Sequence, residues 1–307
     1  MNNRAYEIAS KNFKKKNRAY LVCSGIYFLF AVWWFGGFNI FKSIEAWKYL
    51  KLSDLFLTMA IWGILALVYI LSLAIATARG GEMIMRFFNN IRQLETSQEK
   101  EYLRPIFNEV LSKAKEQNPE IDVFNINIHI IDSMTVNACA VGLKTVAVTK
   151  GAVQAFTADE LKAVITHEIA HILYGDTFAK IFLLIGNGIF TVCFFLVKLI
   201  WWLIGRIPAM RQPMQASSIF LDMMIFAFMF PMLIVLAISD RGAEQRADFY
   251  AYKLGYGEEM VSALYKLEKI SLRGIEGIIE KMLASHPRVT SRIEALEVQL
   301  GIQVDER

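Results

Sequence analysis

Within Val164-Ile165-Thr166-His167-Glu168-Ile169-Ala170-His171 two histidines stand four residues apart, and a glutamate directly follows the first. On an α-helix, positions i and i+4 lie one above the other. His167 and His171 can therefore grip one metal ion, while Glu168 reaches a water at the same place. Two imidazoles and one carboxylate from elsewhere leave Zn²⁺ an open fourth position. That is the pattern of a catalytic zinc site, since structural zinc is closed by four protein ligands. The chemistry is hydrolysis, with Glu168 as general base. The chain has 4 His in 307 residues, and two are in this motif.

The pair must sit on a helix, and the flanks supply one. Thr157 and Glu160 form a capping box, with Thr157 as N-cap. Leu161, Val164, Ile165 and Ile172 recur at helical spacing, and Gly175 is a natural C-cap. The helix spans roughly 157–174, with both histidines in its second half. The third ligand is sought downstream, in Ser239-Asp240-Arg241-Gly242-Ala243-Glu244-Gln245-Arg246-Ala247-Asp248. On a helix Glu244 and Asp248 share a face. Glu244 is the expected third zinc ligand, and Asp248 can accept a hydrogen bond from a ligand histidine and set its tautomer. Taken alone, this spacing describes an ordinary solvated helix face; the upstream motif gives it meaning.

The composition adds a membrane. Hydrophobic residues make up 55% of the chain, and mean hydropathy is +0.37. Four apolar runs, 20–38, 55–78, 181–197 and 219–238, are long enough to be read as transmembrane helices. Trp33, Trp34, Trp201 and Trp202 suit the membrane interface. The third run contains Gly186 and Gly188, and the fourth Asp222 and Pro231, so this pair could instead form an embedded hairpin. Six Lys/Arg precede the first run and three follow it, which puts the N-terminus in the cytoplasm. No cleavable signal peptide is evident. Cys23, Cys139 and Cys193 make neither a disulfide framework nor a metal spacing. A net charge of +4 is accounted for by basic loops facing lipid, and no nucleic-acid partner is expected.

The expected organisation is a basic N-terminus over 1–19, a transmembrane hairpin over 20–78 and a first catalytic part over 79–177. A second hairpin follows over 178–238, then a second catalytic part over 239–307. Pro105 should open a helix that ends at Asn118-Pro119. Residues 123–131 alternate like a strand, with His129 exposed on it; 132–142 read as a loop and 145–149 as a second strand. From its place just before the metal helix, that second strand is expected to offer an edge to an extended peptide through Val146, Ala147 and Val148, although an internal core strand fits the residues as well. Met260, Val261, Leu264 and Leu267 form one helical stripe after 258, and Ile293, Leu296 and Leu300 another. Oligomeric state is not legible.

Taken together, His167-Glu168-x-x-His171, Glu244-x-x-Ala247-Asp248, Ser285-His286-Pro287 and Arg292-Ile293 resemble the HtpX-type heat-shock membrane metalloproteases, relatives of the CAAX prenyl proteases. Asn137-Ala138-Cys139-Ala140-Val141-Gly142 resembles a loop of that family ahead of its edge strand, with Cys139 where an aromatic is common and Tyr250 where a small residue is common. The resemblance covers nearly all the chain after residue 20. It implies a mostly α membrane protein with about four transmembrane helices and a cytosolic α+β zincin-like catalytic domain. It also implies an ATP-independent zinc endopeptidase in the cell inner or plasma membrane, acting in quality control on misfolded membrane proteins. Asn137 and Ala138 would then line the peptide cleft, and His286 would stabilise the oxyanion, unless it only caps a helix before Pro287. Arg292 has a surface or salt-bridge role. Of the alternatives, a prenyl-type processing enzyme needs more spans than four. A catalytically silent zinc scaffold has no need of Glu168, and a transporter would carry more charge within its spans.

Overall fold

The computed structural model describes residues 79–119, 123–177, 242–273 and 289–301, with isolated positions among 67–75 and 180–207. The chain divides into two compact units, Met1–Lys16 with Glu82–Ala179 and Ala237–Arg307, and Asn17–Gly81 with Lys180–Leu236. The four apolar runs lie, apart from scattered positions, outside the described residues. Among the described residues no helix is long and apolar enough to cross a membrane.

The described part is mostly helical with one small sheet. It runs α1 (Arg79–Phe88), β1 (Ile91–Gln93), α2 (Ser97–Gln117), a 3₁₀ turn (Val123–Asn125), β2 (Asn127–Ile131), β3 (Ala138–Val141), β4 (Thr145–Thr149), α3 (Lys150–Ala155) and α4 (Ala158–Tyr174). A helix over 242–253 follows, here α5, then α6 (Gly257–Arg273) and α7 (Val289–Leu300). The sheet order is β1-β2-β4-β3, with β2 and β4 parallel and the outer pairs antiparallel. A parallel β2–β4 pair needs a crossover, and β3 lies within that connection before pairing back on β4.

This order corrects the expected substrate edge. β4 is hydrogen-bonded on both sides, and Val146, Ala147 and Val148 are fully buried. Its flanks are occupied and its side chains are core, so these three residues cannot take a peptide. The edge belongs to β3, in the segment expected to be loop. Two further expectations change. Pro105 lies inside α2, which starts eight residues earlier at a Thr96–Glu99 capping box. The early cap offsets the hydrogen bond that the proline ring cannot make. His129 is buried, not exposed. Its Nδ1 lies 3.2 Å from the Asn127 carbonyl, and burial, then the charge of Arg86, lowers its pKa.

The core gathers around α4, which is buried on nearly every side from Glu160 to Leu173. Leu161, Ile165 and Ile169 of α4 pack with Leu103, Ile106 and Val110 of α2, Val146 and Val148 of β4, and Leu264 and Ile293 of α6 and α7. Each such side chain contributes about 1.5–3 kcal/mol by leaving water. The ends of α4 are fixed as the residue types require. Thr157 and Glu160 close a reciprocal capping box, and Gly175 turns the chain out at φ 80°, a left-handed conformation that favours glycine. Tyr250 bonds the Asn118 side chain at 2.6 Å, tying the end of α2 to α5, so its role is in the core.

Glu160 also anchors α6, accepting from Ser262 at 2.7 Å and Lys266 at 2.6 Å. Burial raises its pKa, but Lys266, the Thr157 backbone and Ser262 outweigh burial and hold it below the usual glutamate value. A depressed folded pKa means the stabilisation is present above the unfolded pKa and lost as pH falls through the folded one. Glu160→Gln should therefore cost about 1 kcal/mol at neutral pH, discounted for the partly exposed Lys266. The difference should vanish in acid, read as the gap between thermal midpoints of the two proteins from pH 7 down to pH 3.

Candidate metal centre

α4 presents His167 and His171 on one face, and α5 brings Glu244 against them from a segment over seventy residues later. The two Nε2 atoms are 3.2 Å apart. Glu244 reaches them with one oxygen each, Oε2 to His167 and Oε1 to His171, both at 3.3 Å. A divalent ion bound at about 2.0–2.1 Å with tetrahedral angles separates its donors by about 3.3–3.4 Å. The two imidazole nitrogens thus stand close to the edge length of one coordination tetrahedron, and the Glu244 carboxylate straddles them with one oxygen towards each. They form a His-His-Glu cluster whose donor atoms all lie within 4.8 Å of one another.

The far side of each ring explains why a cation belongs there. His167 Nδ1 is 2.8 Å from Asp248 Oδ1, and His171 Nδ1 is 3.2 Å from Asp176 Oδ2. A carboxylate only accepts, so each Nδ1 carries the proton and each Nε2 presents a lone pair inwards. Three lone-pair donors converge in a dry site and repel one another unless a positive charge lies between them. Without a metal, protons would serve. Burial opposes charge on both rings, but Asp248 outweighs it at His167, and Asp176 with Glu244 pushes His171 up to about 9. Metal must then displace a proton, and its affinity should weaken as pH falls below that value.

The carboxylates are gripped in turn. Arg292 of α7, 4% exposed, forks onto Asp248 at 2.7 and 2.6 Å and reaches Glu244 Oε2 at 3.0 Å. Its role is thus a salt bridge, but inside the protein and at the ligand itself. Arg246 of α5 holds Asp176 at 3.2 Å. Burial disfavours a charged Asp248, yet Arg292 and His167 outweigh it and keep its carboxyl below the ordinary value.

Every expected metal residue within the described range therefore meets at one point: His167, His171 and Glu244 as donors, Asp248 behind His167, and Glu168 buried beside them. Asp176 was missed, although Gly175-Asp176 at a helix end four to five residues beyond His171 was a usable signal. Asn137 is exposed just before β3, and its Oδ1 accepts from the Ala138 amide at 2.9 Å. The Ala138 side chain is buried, so its possible contact to a peptide is through backbone only. β3 packs against α4 on the sheet's outer edge. His286 lies outside the described residues.

Two histidines and a glutamate on one ion position, a glutamate beside them and a strand edge along the helix are the equipment of a metalloprotease. Residues 97–299 match the model of peptidase family M48. Protease HtpX of Cellvibrio japonicus is 30% identical over 207 residues, 61% of this chain and 68% of its own length. An HtpX homolog of Neisseria meningitidis serogroup B is 31% identical over 210 residues, 62% and 71% of the two chains. Among solved structures, the chain is similar to the crystal structure of S. mikatae Ste24p, with a TM-score of 0.45 and 20% identity over 91% of this chain and 66% of that one. The chain belongs to peptidase family M48, as an HtpX-type metalloprotease.

Asp176→Asn and Asp248→Asn should each weaken metal binding by about 10–100-fold, measured by chelator competition, because an amide can present the ring with a donor and lose the tautomer. Removing the Arg292 guanidinium strands two buried carboxylates. Arg292→Ala should cost about 3–5 kcal/mol in the metal-free protein, and bound metal should recover part of it, seen as a larger metal-induced rise in melting temperature than for the parent.

Proposed function

We propose that the chain is an integral-membrane zinc endopeptidase that cuts misfolded or damaged membrane proteins at a cytosol-facing site without ATP. The observation that carries the reading is the convergence of His167 Nε2, His171 Nε2 and the Glu244 carboxylate on one point beside buried Glu168. Imidazole and carboxylate donors at this spacing suit zinc. When bound, zinc supplies a Lewis acid for the scissile carbonyl and lowers the pKa of water.

The chain's own residues supply the rest. Asp248 and Asp176 hold the two rings in one tautomer and orientation. Arg292 holds Glu244 and Asp248 in place and keeps Asp248 charged. Glu168, following His167 on the same helix, takes the proton of the attacking water and returns it to the leaving nitrogen. The outer edge of β3 can pair with an extended peptide backbone, a mode that reads shape more than sequence and suits unfolded substrates. Asn137 stands at the start of that edge. His286, in the Ser285-His286-Pro287 tail, is assigned to the developing oxyanion.

The membrane part of the reading rests on the four apolar runs. Scattered described positions within or beside them support it: Leu67, Leu71 and Ile75, and Val192, Leu196 and Leu203, are helical and expose large apolar side chains. The charge bias around the first run puts the N-terminus and the catalytic part in the cytoplasm.

The test is cleavage of unfolded casein by the detergent-purified protein, with added zinc, with a chelator and with Glu168→Gln. The expected result is zinc-dependent cleavage that falls by about 10²–10⁴ in the variant while bound zinc stays at parental stoichiometry. Full activity in Glu168→Gln would refute the assigned base. Stoichiometric zinc with no cleavage of casein or of a panel of membrane proteins would favour a silent scaffold.

A further inference from the structure

α1 is built the wrong way round for a helix in water. Its sequence, Arg-Gly-Gly-Glu-Met-Ile-Met-Arg-Phe-Phe, is strongly amphipathic, with one acidic residue, Glu82. That carboxylate faces the protein. Glu82 Oε1 accepts from Thr145 Oγ1 at 2.5 Å, and Oε2 accepts from the Leu143 amide at 3.3 Å. The apolar side faces out. Met83, Phe87 and Phe88 are 73%, 78% and 75% exposed. Two aromatics and a methionine at that exposure on ten residues form an uncovered apolar surface, and such surfaces mark an interaction site.

What covers it follows from position and charge. α1 begins one residue after the charge-free run 55–78 ends. At 1.5 Å per residue, Phe87 lies only about 13 Å of helix beyond that run. With Glu82 turned to the sheet, no acidic residue of α1 is left facing out, and Arg86 is half-buried, with its charge acting on buried His129. An apolar, aromatic, anion-free face on a short helix fits the boundary between lipid headgroups and acyl chains.

We propose that α1 lies in the lipid–water boundary, with Met83, Phe87 and Phe88 inserted beneath the headgroups of the bilayer. This rests on the membrane reading of 55–78. It gives Glu82 a purpose: the β3–β4 turn, bonded to Glu82 through Leu143 and Thr145, is suspended from the membrane surface. Gly142 at φ 64° makes that approach possible, because a Cβ there would collide with the Glu82 side chain. The peptide-accepting edge of β3 is then held at a set height above the bilayer, where segments leaving the membrane first become extended.

The test uses the full chain with Cys23, Cys139 and Cys193 replaced by serine, reconstituted in vesicles of phosphatidylethanolamine and phosphatidylglycerol. Nitroxides are placed by single substitutions Leu67→Cys, Met83→Cys, Phe87→Cys and, as an aqueous control on α2, Glu101→Cys. Collision rates are measured with oxygen, which concentrates in lipid, and with a soluble nickel chelate. The expected result is a several-fold higher oxygen-to-nickel ratio at 83 and 87 than at 101. A ratio at 87 equal to that at 101, with 67 in lipid, overturns the proposal and leaves the membrane reading standing. A water-like ratio at 67 removes both. Shielding of 83 and 87 from both reagents also overturns it, because a protein surface, such as a second copy of this chain, would then be the cover.

Discussion

Three lone pairs aimed at one point are the constraint on which the rest of this structure depends. His167 and His171 each give one nitrogen to a carboxylate behind them, so the other nitrogen must face inwards as an acceptor. Glu244 adds a negative charge at the same place. Such an arrangement is unfavourable by itself in a low-dielectric interior. Two arginines neutralise the rear carboxylates, and a bound cation would complete the front. The helix carrying the histidines is accordingly buried over most of its length, from Glu160 to Leu173.

Geometry of this kind needs rigid supports from separate parts of the chain. α4 supplies two donors and the base, α5 the third donor and Asp248, the turn after α4 Asp176, and α7 the clamp Arg292. No one of these elements would hold its charged residue buried alone. Glu244 and Asp248 without Arg292 would be two uncompensated carboxylates, and Arg292 without them would not leave water. Assembly of the core and assembly of the site are therefore the same event, which links proteolytic competence to folding of the segments on both sides of 178–238.

The local half of this was legible in the residues. Thr157, Glu160 and Gly175 mark the ends of α4 because capping is decided within four residues of the chain. The i, i+4 spacings of His167 with His171 and Glu244 with Asp248 place each pair on one face by helix geometry alone. The long-range half was not. β4 was read as an edge because it precedes the metal helix, but strand order depends on which segments pair across the sheet, and β3 claims the edge from within a stretch with loop-like residues. His129 alternates as an outward residue would, yet His129 and its neighbour Ile130, which point to opposite faces, are both buried, so alternation does not distinguish inside from outside. Arg292 looks like any charged residue on an amphipathic helix until its partners, more than forty residues away, are seen.

By itself, then, the sequence determined the chemistry: which atoms can bind a metal, which carboxylate can move a proton, where the metal helix starts and stops, and that four stretches are long, apolar and almost free of charge. Each of these is a property of residue type and short-range spacing. Only the tertiary structure decided that Glu244 closes the His pair, that Asp176 and Asp248 orient the rings, that Arg292 is buried at the ligand and that β3, not β4, is an edge strand. Those are statements about distances between segments far apart in the chain, and such distances are set by how the whole core packs.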